Sequence, residues 1–483
     1  MLNEKELLKE IENLKEEIKK LKPKKYGLLV WESKKPEQVI EMCKEKLPVF
    51  VEDEAREIKT DDKKPVNILI EGDNYHALSA LNYTHQGNID FIYIDPPYNT
   101  GSEGFMYNDK IVNREDAYRH SKWISFMDKR LRLAKNLLKK DGIMLINIDD
   151  NEVAQLKLLC DEIFGEDCFR NMIVWSYRTG GAPHKNDAFS RKHDYILMYS
   201  RSQNYFFNRF KEKIAYEKDF FGAKKDAVGN FYADVNLRDI IEGEITLFKD
   251  EKEYKKINTK PVLNLSGERV EEFPTQKPIG LIKYLLEILS KPNAVVLDFF
   301  AGSGSTGHAV LDLNRENSDK RQFILCTNNE NNICTKVCYP RLKKNIKGYK
   351  KLNGKSVLGI GGNLKYYKTD FVDAEPTDRN KKGLVDKCTE MLCLKEDCFE
   401  SIKKGSNFKI FKNNSGKYLG IIYDDTGIEP FKKEVEKIGK KLVVYVFSLD
   451  DSAREEEFED IKKLVELKPI PAVILNVYKR IFK

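Results

Sequence analysis

The 483 residues contain no C-x-x-C pair, no apolar stretch of about 18 residues and no secretory leader. Each absence removes a class of protein. The nine cysteines are scattered, which argues against a zinc site or a disulfide framework and for reduced thiols in a cytoplasmic chain. Lacking a membrane-length run, the chain is expected to be soluble. His184 and His193 stand in no metal-ligand pattern, and no metal site is expected. There is no Walker motif and no recognisable nuclease centre. Charge of one sign is also missing as a clue. The 84 basic and 77 acidic residues leave a formal +7, which permits nucleic-acid binding without requiring it.

What is present begins with Asp95-Pro96-Pro97-Tyr98. The tetrapeptide ends the apolar run Ile89-Asp90-Phe91-Ile92-Tyr93-Ile94, which reads as a buried parallel strand. A nucleobase amino group is a poor nucleophile because its lone pair is delocalised into the ring. A carboxylate and a proline carbonyl at a strand's carboxyl end can accept its hydrogens and free that lone pair, and an aromatic ring close by can stack on the base. The plain alternative is a stiff strand-to-loop turn capped by Asp95.

A second motif stands beside it in weight. Val295-Val296-Leu297-Asp298 reads as a buried strand, and Phe299-Phe300-Ala301-Gly302-Ser303-Gly304 as a small-residue turn into a helix from about Ser305 to Leu313. Gly302, Gly304 and Gly307 satisfy G-x-G-x-x-G, the mark of an adenosine-containing cofactor. A phosphate-binding P-loop is rejected, because His308 and Ala309 stand where Lys and Ser/Thr are needed. A further strand, Gln322 to Cys326, precedes Glu330, placed where such folds hold a ribose hydroxyl pair. A nicotinamide cofactor would use the same glycines, but it leaves the first motif unexplained.

Together these residues resemble the amino-directed DNA methyltransferases that use S-adenosylmethionine. Asp95-Pro96-Pro97-Tyr98 resembles their catalytic motif and Phe300 to Gly304 their cofactor loop. The catalytic motif precedes the cofactor loop by roughly 200 residues, an order similar to the beta class. Glu71-Gly72-Asp73-Asn74 resembles the segment whose acid faces the cofactor adenine, and Phe273-Pro274-Thr275-Gln276-Lys277-Pro278 the segment before the cofactor loop. Asp141-Gly142 through Ile148-Asp149-Asp150-Asn151-Glu152 resembles Type III modification subunits. The resemblance implies catalytic roles for Asp95, Pro96, Pro97 and Tyr98. It implies cofactor contacts for Asp73, Lys277, Asp298, Phe300, Ala301, Gly302, Gly304 and Glu330. The implied reaction is methylation of N6 of an adenine flipped out of double-stranded DNA, as the modification component of a restriction-modification system. Cytosine N4 stays open as the target. So does a DNA-recognition subunit paired with a restriction subunit that carries helicase and nuclease. An RNA- or protein-directed enzyme is disfavoured, since protein-directed relatives usually carry Asn where Asp95 stands.

The expected fold is α/β: a doubly wound, mostly parallel, Rossmann-like sheet in permuted order, its two motif strands side by side. Residues 66–200 form the catalytic half and 271–342 the cofactor half. Between them, 201–270 interleaves Tyr205, Phe206, Phe207, Phe210, Tyr216, Phe220 and Phe221 with Arg209, Lys211, Lys224 and Lys225. That texture suits a DNA groove, and the segment is expected to read the target sequence. A basic cluster runs from Arg178 through Lys185 to Arg191 and Lys192. Residues 1–25 form a helix whose Leu7, Ile11, Leu14, Ile18 and Leu21 make a short heptad seam, a candidate homodimer contact. A small α/β domain is expected over 371–483, with a helix at 454–466 and a final strand Ala472–Val477.

Overall fold

The computed structural model describes residues 37–482, apart from 62, 101–117, 178–188, 220, 226–227, 263–275 and 351–355. The N-terminal heptad and the Arg178–Lys185 part of the basic cluster lie outside the described residues.

Strands β1 (Lys46–Glu52), β2 (Val66–Glu71), β3 (Ile89–Ile94), β4 (Leu138–Ile148), β5 (Phe169–Ser176) and β6 (His193–Ser200) come first. The inserted segment supplies β7 (Lys211–Tyr216), β8 (Lys224–Lys225), β9 (Phe231–Asn236), β10 (Ile240–Glu242), β11 (Glu244–Lys249) and β12 (Lys252–Asn258). Then follow β13 (Val295–Asp298), β14 (Gln322–Thr327), the small hairpin β15 (Gly348–Lys350) and β16 (Ser356–Leu358), and β17 (Asn363–Asp373).

Six parallel strands form the centre of a ten-stranded sheet, in the order β17-β2-β14-β13-β3-β4. Strand β6 reverses direction beside β4, β5 and β10 continue that edge, and β1 runs antiparallel to β17. These strands are apolar on both faces because both are covered. Ile92 and Ile94 of β3 enter one core with Trp123, Met127 and Leu131 of the Arg119–Leu137 helix. Phe91 and Tyr93 enter the other, with Val310 of the Ser305–Asn317 helix and Leu285 of the Ile279–Leu289 helix.

This arrangement opens the site. Strands β13 and β3 are neighbours, Val296 facing Phe91 and Leu297 facing Ile92. From β3 the chain goes to β4 on one side, its helix on one face of the sheet. From β13 it goes to β14 on the other side, its helix on the opposite face. Connections that part in this way leave a crevice at the carboxyl ends of the two strands. The doubly wound, permuted fold read from the sequence is the fold observed.

The inserted segment folds as a five-stranded sheet, β12-β11-β7-β9-β8, apart from β10, which joins the main sheet beside β5. It docks on the Ile279–Leu289 helix, where Gly280 lets Asn258 come so close that a Cβ would stand 1.8 Å from its carbonyl oxygen. The Tyr284 hydroxyl donates to Glu212 at 3.0 Å across the same contact.

Two readings of the C-terminal region need correction. Ala472–Val477 is not a strand but the start of the Ala472–Ile481 helix, and the strand is Val465–Ile470 just before it. The β-branched run suggested a strand, but Ile474 and Tyr478 are buried four residues apart, as one helical face requires. Where a helix was expected at 454–466, only a 3-10 helix, Glu455–Ile461, forms. Strand β17 belongs to the main sheet. The C-terminal sheet, β18 (Glu400–Lys404), β19 (Phe408–Lys412), β20 (Tyr418–Ile422), β21 (Leu442–Phe447) and β22 (Val465–Ile470), shares a core with the rest of the chain. Met391, Leu392 and Ile474 pack with Leu78 and Leu81, and the Lys395 ammonium donates to the Tyr83 carbonyl at 2.8 Å.

Candidate functional site at the strand ends

Asp95 emerges from the carboxyl end of β3 and is one-quarter exposed. The prolines stiffen its exit, and the Trp123 indole donates to the Pro97 carbonyl at 2.8 Å, pinning the turn to the Arg119–Leu137 helix. The Tyr98 hydroxyl donates to Asp95 Oδ1 at 2.8 Å and accepts from Asn147 Nδ2 at 3.0 Å. Burial, with the Asp95 charge beside it, holds that phenol protonated, well above its ordinary range. Lys277 Nζ donates to Asp95 Oδ2 at 2.8 Å and lies 4.9 Å from the Tyr98 ring centroid.

After Tyr98 the chain turns through Asn99, whose φ of 57° is left-handed. That strained residue is buried, and its amide donates at 2.5 Å to Glu152 Oε1, which also bonds His120 Nδ1 at 2.7 Å. Asp149 ends β4 in a turn, accepting from the Asn151 amide nitrogen at 2.9 Å, and it pairs with Arg191 at 2.7 Å. Arg191 is thus tied inward by a fully buried carboxylate. No metal-binding cluster of acids, histidines and cysteines occurs among the described residues.

The glycine loop leaves β13 next door. Asp298 is buried and shapes it, Oδ1 accepting from the Phe300 amide at 3.0 Å and Oδ2 from the Thr306 hydroxyl at 2.6 Å. Burial pushes its carboxyl up to about 7. Gly302 and Gly304 take φ of 49° and 79°. At Gly304 a Cβ would stand 2.9 Å from Cys338 Sγ, so the turn demands glycine on conformation and space together. Ala301 is buried in the loop and donates to the Cys326 carbonyl at 3.1 Å. Phe300 packs against Phe126, ring centroids 6.0 Å apart. Asp73 caps the Asn74–Thr84 helix, accepting from the Tyr75 amide at 2.7 Å. Arg130, buried, stands 3.7 Å from Asp73. Glu330 is exposed just beyond β14.

The structure therefore gathers the sequence candidates at adjoining strand ends: Asp73 after β2, Glu330 after β14, Asp298 to Gly304 after β13, and Asp95 to Tyr98 after β3. Lys277, expected at the cofactor, is bonded to Asp95. The sequence reading missed Asn99, Asn147, Glu152 and Arg130. Asn147 and Glu152 lie in the stretch Asp141 to Glu152 that had drawn notice, but nothing in its spacing showed that Glu152 reaches back to the turn after Tyr98.

A family profile described as DNA methylase matches residues 89–338. The chain is 31% identical over 360 residues to the Type III restriction-modification enzyme StyLTI Mod subunit of Salmonella typhimurium, covering 58% of this chain and 55% of that one. It is 29% identical over 402 residues to the Type II methyltransferase M.KpnI of Klebsiella pneumoniae, covering 67% of this chain and 93% of that one. It is 27% identical over 248 residues to the DNA adenine methyltransferase YhdJ of Escherichia coli, covering 51% of this chain and 76% of that one. The chain spans little more than half the length of the StyLTI subunit.

Proposed function

The chain belongs to the DNA methylase family, and on that premise we propose that it methylates N6 of an adenine flipped out of double-stranded DNA, as the modification component of a restriction-modification system. The observation that carries this is the pairing of β3 with β13. It sets Asp95 beside the glycine loop in one crevice.

The residues of that crevice fit S-adenosylmethionine. The buried Asn328 Oδ1, one residue past β14, has no hydrogen-bond partner among the described residues, which leaves an acceptor for a polar ligand. The left-handed turn at Gly302 and Gly304 lets a ligand approach the backbone closely at the start of the Ser305–Asn317 helix, where a carboxylate is favoured. Asp73 and Glu330 supply acids for amine and hydroxyl groups, Asp298 and Ala301 fix the turn, and Phe300 offers a ring. When bound, the cofactor supplies an electrophilic methyl group.

The chain's own residues do the rest. Unstacking the target base costs a few kcal/mol. Tyr98 offers the flipped ring a stacking face. Asp95 and the Pro96 carbonyl accept the two amino hydrogens, which draws the nitrogen lone pair out of the ring. Nitrogen becomes cationic as it is alkylated, and a fixed carboxylate beside it stabilises that charge. One amino proton then leaves by way of Asp95. The named adenine specificity of YhdJ and the Asp at position 95 favour adenine over cytosine N4. The similarity to the StyLTI Mod subunit favours a separate restriction subunit as partner.

Methylation-aware long-read sequencing of DNA from cells expressing the chain tests this. N6-methyladenine at one short sequence is expected. N4-methylcytosine would replace the target, and unmodified DNA would overturn the reading.

A further inference from the structure

We propose that Lys277 is a movable placeholder for the target amino group, seated on Asp95 in the free protein and drawn off to Asp194 when a base enters. This rests on the function proposed above.

The argument starts from occupancy. Both Asp95 oxygens already have donors: Oδ1 takes the Tyr98 hydroxyl and Oδ2 takes Lys277 Nζ, each at 2.8 Å. A target amino group needs one of those oxygens. The ammonium also rides 4.9 Å from the Tyr98 ring centroid, over the surface on which a base would stack. Lys277 thus covers both features that the proposed chemistry requires. It imitates the substrate, an N–H donor above an aromatic ring.

A neutral amino group does not displace the ammonium by itself, because Lys277 adds to its hydrogen bond a Coulombic attraction to the carboxylate that a neutral donor lacks. Nor is an unpaired ammonium tolerated where Lys277 sits, with its side chain only 11% exposed. The lysine needs a second carboxylate. Asp194, at the start of β6, is that group. It is 6% exposed, and among the described residues its carboxylate accepts a long hydrogen bond from the Tyr177 hydroxyl, 3.3 Å. Among the described residues, Lys277 and Arg191 are the cations that act on it most, and Arg191 is already paired with Asp149 at 2.7 Å. Burial pushes the Asp194 carboxyl up, Lys277 opposes that, and the like charge of Asp95 adds to it. A carboxylate in that state gains from an approaching ammonium.

The transfer keeps the pocket's charge constant while changing its distribution. With the base in place, positive charge withdraws from the point where the amino nitrogen becomes cationic on methylation. Lys277 is then a positioning residue acting through Asp95, and Asp194 its second seat.

The test uses a duplex carrying 2-aminopurine at the target position mapped by sequencing. Its fluorescence reports the flipped base. Asp194→Asn should strand Lys277 on Asp95, lowering the flipping signal about fivefold or more and raising KM for DNA more than it lowers kcat. Lys277→Met should raise the signal above wild type. In the double variant Lys277→Met should rescue the Asp194→Asn defect. Calorimetry with S-adenosylmethionine should give an unchanged Kd throughout. A Lys277→Met protein with an unchanged or weaker flipping signal overturns the proposal, as does a double variant that keeps the Asp194→Asn defect. So does loss of cofactor binding in Lys277→Met, which would make this lysine a cofactor contact. If Asp194→Asn fails to fold, Lys277→Met alone decides. A wild type that neither flips nor methylates refutes the function proposed above instead.

Discussion

The crevice between β3 and β13 and the sheet inserted before it are built on opposite principles. In the crevice, polar groups are tied by short bonds to one or two named partners: Asp95 to Tyr98 and Lys277, Tyr98 to Asn147, Asp298 to Phe300 and Thr306. The inserted sheet instead sets lysines over aromatic rings at its surface. Lys213 lies 4.2 Å from the Tyr232 ring centroid and Lys225 4.7 Å from that of Phe231. Phe207, Tyr216 and Phe221 stand exposed. A bonded network responds to the loss of one member as a whole. A surface of loosely placed charges and rings responds in increments. The crevice is therefore where single substitutions should be decisive, and the insert where they should be graded.

The sharpest break of that contrast is Asp95→Ala. It removes the acceptor for the amino hydrogens and the acceptor for the Tyr98 hydroxyl proton. Turnover on duplex DNA should fall by about a thousandfold or more. S-adenosylmethionine should still bind, because Asp95 acts on the base. Wild-type turnover in this variant would end the mechanism. Gly304→Leu comes next. A side chain at φ 79° is strained, and its Cβ would stand 2.9 Å from Cys338 Sγ. Backbone strain of roughly 1–2 kcal/mol and overpacking of about 1–3 kcal/mol should lower Tm and abolish cofactor binding by calorimetry. Unchanged cofactor affinity would move the cofactor away from this loop.

How legible this was in the sequence also divides along the same line. The two central strands were readable because both faces are buried, which leaves apolar runs, Phe91 to Ile94 and Val295 to Leu297, ending in Asp95 and Asp298. Their adjacency was readable from the motifs, since a catalytic acid and a cofactor loop must share a crevice. Lys277 was not readable, because its segment is remote from Asp95 in the chain and only the folded sheet brings it there. The same holds for Glu152, which meets Asn99 across a turn. The C-terminal error has another cause. Ala472-Val473-Ile474-Leu475 is apolar and β-branched, and its helical face appears only once Tyr478 packs.

A third prediction follows from burial. The Asp298 carboxyl is pushed up to about 7 in the folded chain, from an ordinary 3.8. An acid raised on folding is most stabilising when protonated, below its unfolded value, and that contribution is lost as pH rises through its folded value. Wild type should therefore lose stability relative to Asp298→Asn between pH of about 4 and 7, by a few kcal/mol at most. Thermal melts of the two proteins across that range should show their difference in Tm moving in favour of the variant. A difference independent of pH would mean that Asp298 stays ionised, held by Phe300 and Thr306.

The smallest effects belong to the insert, and they test whether it meets DNA at all. If Lys213 and Lys225 each neutralise a phosphate, the double substitution to Ala should reduce the salt dependence of DNA binding by roughly 0.9 per contact removed. Phe221 is fully exposed, and Phe221→Ala should cost about 1 kcal/mol of affinity if the ring stacks on a base. Neither change should touch the cofactor Kd, because the insert docks through the Ile279–Leu289 helix. Identity of the site is a separate question from affinity. A flipped base reports nothing of its neighbours, so a second surface must read them. This sheet is the sizeable segment between the two motifs that the parallel strands do not require, apart from β10. Exchanging residues 201–270 for a relative's segment should redirect methylation to another sequence while leaving the chemistry intact. An exchanged protein that still marks the original site would assign the reading to the C-terminal sheet instead.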